Sequence, residues 1–249
     1  MYITTVDDIV EYSGDKATFE QARKIPFPNQ HADGSGSSVD AETLDFATRV
    51  WETLGDRLVE TPRYGEFEDI FHFDIRQALT AMEYSFLVSR RPELANGTST
   101  DHYDCHNMVM FGYSDVDLMY SPGFELEDLS ALRSVLWRTQ RLARIGNWLT
   151  TWERELREED YSSGVVVTAI EEGLIDANAL VDGLSPADVA GITEQIKRSE
   201  IEDRLYEEWE QTYEELLRTV FETGSIDLNA FIQGMETVFE YHINSKGSK

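Results

Sequence analysis

The stretch RIGNWLTTWERELREED, residues 144–160, decides how this chain reads. Its apolar positions continue a stripe that begins upstream. Leu129, Leu132, Leu136, Ala143 and Leu149 recur at helical spacing, and Trp137, Ile145, Trp148 and Trp152 widen the stripe. One long helix is therefore expected from residue 125 to about residue 160, after the break at Ser121-Pro122-Gly123. On such a helix Asn147, Thr151 and Glu155, each four residues from the last, fall on one face, and Arg144 stands one turn before them. An amide oxygen, a hydroxyl and a carboxylate in a row suit a hard cation such as Mg²⁺, with Mn²⁺ an equivalent ion. Mg²⁺ binds through one or two carboxylates together with substrate phosphates. Arg144 adds a forked donor suited to phosphate, so the implied ligand is a phosphate ester.

Outward from this stretch the same periodicity predicts further helices. One spans residues 39–60, with Asp40 or a neighbour as its cap, and another runs over 66–89 to Arg90-Arg91-Pro92. Three more are expected: a short apolar helix over 162–172 stopped by Gly173, a continuous helix from Ser185-Pro186 through Leu216, and a last one over 227–242. No strand-like alternation and no internal repeat interrupts them. The expected fold is all-α, a single bundle of long antiparallel helices in one domain over residues 1–249. Within it, PFPNQHADGSGSS at 26–38 reads as a flexible loop and 243–249 as a disordered tail.

Composition narrows the classes of function. With 41% hydrophobic residues, 12 Phe, 11 Tyr and 5 Trp, the 249-residue chain can fill a sizeable core. A formal charge of -27 argues against nucleic acid or an anionic membrane as partner, because both would be repelled. Acids spread through the expected helices suit a salt-rich, halophile cytoplasm, where screening relieves self-repulsion. Cys105 is the single cysteine, so no internal disulfide forms, and no apolar run is long enough to span a bilayer. A cytoplasmic protein is expected.

The stretch at 144–160 resembles the second metal-binding motif of the class I terpene synthases. That motif carries Asn or Asp, then Ser or Thr four residues on, then Glu four further. Asn147, Thr151 and Glu155 match the ligand positions, Leu149 the aliphatic position between them, and Arg144 an upstream arginine that binds diphosphate. Asp160 stands where the family often has Gly-Asp, while Trp148 replaces its usual Asp. The likeness is strongest over 130–215 and weaker over 4–22, where Asp7, Asp8 and Glu11 resemble the family's first, aspartate-rich motif. The resemblance implies a Mg²⁺-dependent lyase of isoprenoid biosynthesis that ionises a prenyl diphosphate, releases pyrophosphate and forms a terpene. Asp7, Asp8 and Glu11 would then hold further metal ions, and Arg90 and Arg91 would bind substrate. Several helices that family members carry before the first motif are missing, as is the Arg-Tyr pair that closes many of their sites. Either the site is open on one side, the aspartates are a surface feature, or a neighbouring chain of a homodimer fills the gap.

A second lead lies in DHYDCHNMVMF, residues 101–111. Asp101, His102, Asp104 and His106 crowd the expected start of an apolar helix, and mixed Asp/His sets hold iron, zinc or manganese. With Glu83 or Glu153 they describe an alternative, a helical-bundle metalloprotein or oxidase. Under the terpene synthase resemblance Asp104 instead matches an aspartate that links to a diphosphate-sensing arginine. A third alternative is a terpene-synthase-like scaffold without catalysis.

Overall fold

The computed structural model describes residues 2–11, 14–181 and 183–246, with the side chains of Val10 and Glu11 outside that description. Every regular element among the described residues is helical, as the periodicity predicts. In chain order the α-helices are α1 Tyr2–Glu11, α2 Lys16–Ala22, α3 Ala41–Val59, α4 Tyr64–Arg90, α5 Gly97–His102 and α6 Met110–Tyr120. They continue with α7 Leu129–Arg157, α8 Gly164–Glu171, α9 Ala177–Leu180, α10 Pro186–Arg198, α11 Ile201–Arg218 and α12 Leu228–Asn244. The residues gather into two compact units. One is formed by Met1–Met82 and Val109–Gly123, the other by Glu83–Met108 and Phe124–Lys249. Helix α4 runs through both.

Local chemistry explains where the helices start and stop. Asp40 accepts the Glu42 and Thr43 N–H groups at 3.0 and 3.1 Å and so opens α3, as expected from sequence. Ser185 and Asp188 form a reciprocal capping box with Pro186 in the first turn of α10. The expected continuous helix from residue 185 to 216 is broken, because Ser199 leaves the helical region. Its hydroxyl donates to Ile196 O at 2.6 Å and accepts the Ile201 N–H at 3.3 Å, ending α10 and starting α11. Helix α7 begins at Leu129 after a 3-10 turn, Leu126–Asp128. There the Asp128 carboxylate takes the Ser225 N–H and hydroxyl at 2.7 and 2.6 Å. Residues 28–38 are mostly exposed turns, while Pro26 and Phe27 are buried. Helix α12 carries the chain through Asn244, so the first part of the expected tail is helical, and 247–249 lie outside the described residues.

In the first unit, α1 buries Tyr2, Val6 and Ile9 on one face. The Tyr2 hydroxyl donates to Ala22 O at 2.6 Å, and its ring meets Trp51 edge-on at 5.0 Å. The second unit is built around α7, against which α8, α10, α11 and α12 pack. Trp148, Trp152, Leu142, Ile145 and Leu156 of α7 are fully enclosed.

Two glycines set close approaches to α7. At Gly146 a Cβ would sit 3.1 Å from Phe239 and 3.3 Å from His242 of α12. At Gly164 it would sit 2.5–2.7 Å from the Trp148 indole, well inside contact distance, so the start of α8 rests directly on that ring. The indole is wedged in the core and has no room to withdraw. Gly164→Ala is therefore expected to destabilise by roughly 2–3 kcal/mol, the upper range for overpacking. Gly191→Ala, in α10 with nothing within 4 Å of the added carbon, is expected to gain up to ~1 kcal/mol. Urea unfolding of both variants checks the pair, and equal effects would refute the close packing.

Candidate functional site

The polar face of α7 is buried, and that is the unusual feature of the second unit. Arg144, Thr151 and Glu155 are at most 8% exposed, and Asp104, from the 3-10 turn Asp104–Met108, is 0% exposed. A buried carboxylate has to be paired and hydrogen-bonded, and Asp104 is both. Arg144 grips it two-fold, Nε to Oδ2 at 2.6 Å and Nη2 to Oδ1 at 2.9 Å. Trp148 Nε1 donates to Oδ2 at 2.9 Å, Asn107 Nδ2 to Oδ1 at 3.0 Å, and the Ser85 hydroxyl to Oδ1 at 3.3 Å. Arg144 Nη1 donates to Asn147 Oδ1, which locks the amide oxygen toward the guanidinium. Burial alone would lower the Arg144 pKa, but the charge and hydrogen bonds of Asp104 raise it above its ordinary value. Arg144 stays a cation.

Two more carboxylates lie in the same cluster. Helix α7 ends with Glu159 in the left-handed region at φ 61°, and the Asp160 N–H returns to Glu155 O at 2.9 Å. This is the Schellman pattern, and it folds Asp160 back beside Glu155. Asp160 Oδ1 accepts the Ser162 N–H at 2.9 Å and the Ser89 hydroxyl at 3.1 Å. Burial raises the Asp160 pKa. Burial, then the neighbouring Asp160 charge, push Glu155 up to about 7, against the pull of Arg144 in the other direction. The Thr151 hydroxyl sits 2.8 Å from Asn147 O and also bears on the Glu155 carboxylate. Glu155 Oε2 has no hydrogen-bond partner. Arg144 thus faces three carboxylates; the partly exposed Arg154, 3.7 Å from Glu155 Oε1 and shared with Glu158, is the other cation at the cluster, which stays short of positive charge.

The expected row of Asn147, Thr151 and Glu155, with Arg144 beside it, is therefore gathered in one place on α7. Asp104 and Asp160 join it. Trp148, which stands where the resembled motif has Asp, matters through its N–H to Asp104. Ser85, Ser89 and Asn107 carried no signal, since isolated polar residues on helices usually face water.

The other candidates take different places. The Asp/His lead is corrected: Asp101, His102, Asp104 and His106 do not converge. Asp101 pairs with Arg141, His102 Nδ1 lies 2.9 Å from Thr98 O on the surface, and Asp104 is enclosed on Arg144. His106 Nδ1 lies 3.3 Å from Gln140 Nε2, its ring against Trp137. The physical reason is that 101–111 is not the start of one helix. Helix α5 ends at His102, a 3-10 turn follows, and Val109 is left-handed at φ 54°, so successive side chains fan apart. Among the described residues no three His, Cys, Asp or Glu side chains gather as a metal site. Glu153 is occupied by Lys197 at 2.9 Å. The Arg90 guanidinium stacks over Phe86 at 4.6 Å and Arg91 pairs with the adjacent Glu93, so each has a local partner on the surface. Asp7 is half-buried and Asp8 exposed on α1 in the first unit, and the Glu11 side chain lies outside the described residues, as do Tyr12 and Ser13. Cys105 is buried, which pushes its thiol up to about 12, so it is an inert core residue. No helix among the described residues is long and apolar enough to cross a membrane.

No protein-family model, curated protein or solved structure matches this chain.

Proposed function

We propose that this chain is a class I terpene-synthase-like enzyme that takes a prenyl diphosphate with Mg²⁺ and releases pyrophosphate and a terpene. The observation that supports it is the polar row on α7, with Thr151 and Glu155 buried and Asn147 half-buried. Asn147, Thr151 and Glu155 share a cluster in which the carboxylates of Asp104, Glu155 and Asp160 outnumber the guanidiniums of Arg144 and the partly exposed Arg154. Uncompensated negative charge held away from water is costly, and a divalent cation relieves it.

The donors fit such an ion. Glu155 Oε2 makes no hydrogen bond, and the Thr151 and Asn147 oxygens each keep a lone pair beyond the bonds they make. A set with a single ligating carboxylate suits an ion that completes its shell with water and phosphate oxygens. Mg²⁺ bound there would supply charge to stabilise the departing diphosphate. The chain's own residues do the rest. Asp104 holds Arg144 in one orientation, using Nε and one N–H of Nη2, while one N–H of Nη1 goes to Asn147. Two of the five guanidinium N–H groups are left for phosphate oxygens. Trp148, whose indole N–H meets Asp104, is fully enclosed and shields the cluster from water. The proposal stands on the α7 row, and Asp7, Asp8 and Glu11 are no part of it.

The test is incubation with Mg²⁺ and geranyl, farnesyl and geranylgeranyl diphosphates, at high and low salt, following pyrophosphate and hydrocarbon together. Turnover of at least one substrate is expected. Asn147→Ala and Glu155→Gln, each confirmed as folded by circular dichroism, are expected to lose at least ~100-fold. Absence of turnover, or activity that survives both changes, would sink the reading.

A further inference from the structure

We infer that the cleft between α5, α7, α8 and α11 in the second unit is a binding site for a small organic cation, a primary ammonium carried on a short apolar body. The cleft has a volume of about 190 Å³ and is lined by residues of those four helices, among them Asp101, Arg141 and Glu208. Pockets for drug-sized ligands begin near about 300 Å³, so the occupant is small. Neither Asp101 nor Glu208 belongs to the carboxylate cluster around Arg144, and the inference does not rest on the prenyl diphosphate reading.

Charge decides the class of ligand. Arg141 Nε donates to Glu208 Oε1 at 2.7 Å, its Nη1 donates to Asp101 Oδ1, and its guanidinium stands 5.7 Å over the Trp148 ring. One cation is thus shared by two carboxylates. Burial raises the Asp101 pKa, Arg141 opposes that rise, and the Glu208 charge adds to it. Each carboxylate gives one oxygen to Arg141 and keeps the other for a further donor. Arg204, the second cation lining the cleft, is held by Glu172 with Glu200 beside it. Thr168 Oγ1, also in the lining, donates its proton to Gly164 O at 2.7 Å and has only lone pairs left to offer. An ammonium brings three donors and one positive charge, so it bonds to both carboxylates and offsets their repulsion. An anion would meet four acids, Asp101, Glu208, Glu172 and Glu200, against two guanidiniums. The rest of the wall is apolar: Trp148, Val167 and Leu205 are at most 8% exposed and give the ligand's body a carbon surface.

The measurement is titration of the whole protein with n-butylammonium and phenethylammonium at neutral pH and constant ionic strength, followed by calorimetry and ligand-observed NMR. Butanoate and butanol serve as the anionic and neutral counterparts. Saturable binding of one ammonium per chain is expected, with Kd on the order of 1 mM or tighter. Butanoate and butanol are expected to bind at least ~10-fold more weakly. Glu208→Gln and Asp101→Asn, each confirmed as folded by circular dichroism, are expected to weaken the ammonium at least ~10-fold, because each removes a charged hydrogen-bond acceptor. Either variant alone carries the comparison should the other not fold. A chain of net charge -27 attracts cations everywhere, so Glu194→Gln is the control. It removes the same charge from the exposed pair with Arg198 on α10 and is expected to leave the affinity unchanged. No saturable binding, butanoate bound as tightly as butylammonium, or equal affinities in Glu194→Gln and Glu208→Gln would each overturn the site.

Discussion

Replacing Arg144 with methionine is expected to destabilise the protein by about 3–5 kcal/mol, the range for breaking a buried ion pair from one side. Methionine fills the space of the arginine stem but strips Asp104, which is 0% exposed, of its two strongest donors. Trp148, Asn107 and Ser85 remain as neutral donors, too few to hold a full charge in that setting. Asp104→Asn in the same background is expected to recover much of the loss, because the charge that lacked a partner is gone. The contrast is the exposed pair Arg198–Glu194, with side chains 80% and 61% exposed, where removing either partner is expected to change little. Urea unfolding of the single and double variants tests this. A loss below ~1 kcal/mol in Arg144→Met would show that Asp104 is not the buried anion described.

The second large effect is a dependence of stability on pH that belongs to one residue. Glu155 sits at about 7 against an ordinary value of 4.5, so between those values the folded chain keeps a proton that the unfolded chain has released. A raised pKa means stability that is complete below the unfolded value and lost as pH climbs through the folded one. Full transfer across that gap is on the order of 3 kcal/mol. In low salt without divalent ions, the wild-type melting midpoint is therefore expected to fall between about pH 5 and pH 8. Glu155→Gln, which cannot ionise, is expected to flatten that slope. Adding Mg²⁺ at pH 8 is expected to restore the midpoint of the wild type and not that of the variant, because an ion bound to the carboxylate favours its charged form. Parallel pH profiles for the two proteins would locate the dependence elsewhere.

Both effects reside in a row that was legible before any coordinates. Asn147, Thr151 and Glu155 share a face of α7 because helical periodicity puts them there, and Arg144 follows from the same spacing. The helix boundaries were legible where a cap residue announced them, at Asp40 and Ser185. They were not legible at Ser199, where a hydroxyl competes with the helix for backbone groups and splits an unbroken apolar pattern. The same limit defeated the Asp/His lead. Proximity in sequence gathers side chains only if the backbone between them is regular, and 101–111 changes conformation at His102 and at Val109.

The sequence by itself thus determined the all-helical architecture, the face of α7 that carries the polar row, and the chemical types on it, because these depend on neighbours within a few turns. Only the tertiary structure decided that Arg144, Thr151 and Glu155 are buried, that Asp104 across 40 residues is the partner of Arg144, and that Asp160 folds back against Glu155. It also decided that α8 starts on the Trp148 ring with its amides uncapped. The physical reason is that burial, pairing and the pKa shifts that follow are set by what packs on a residue from elsewhere in the chain. A helix carrying Arg144, Asn147, Thr151 and Glu155 reads the same whether water or Asp104 lies against it.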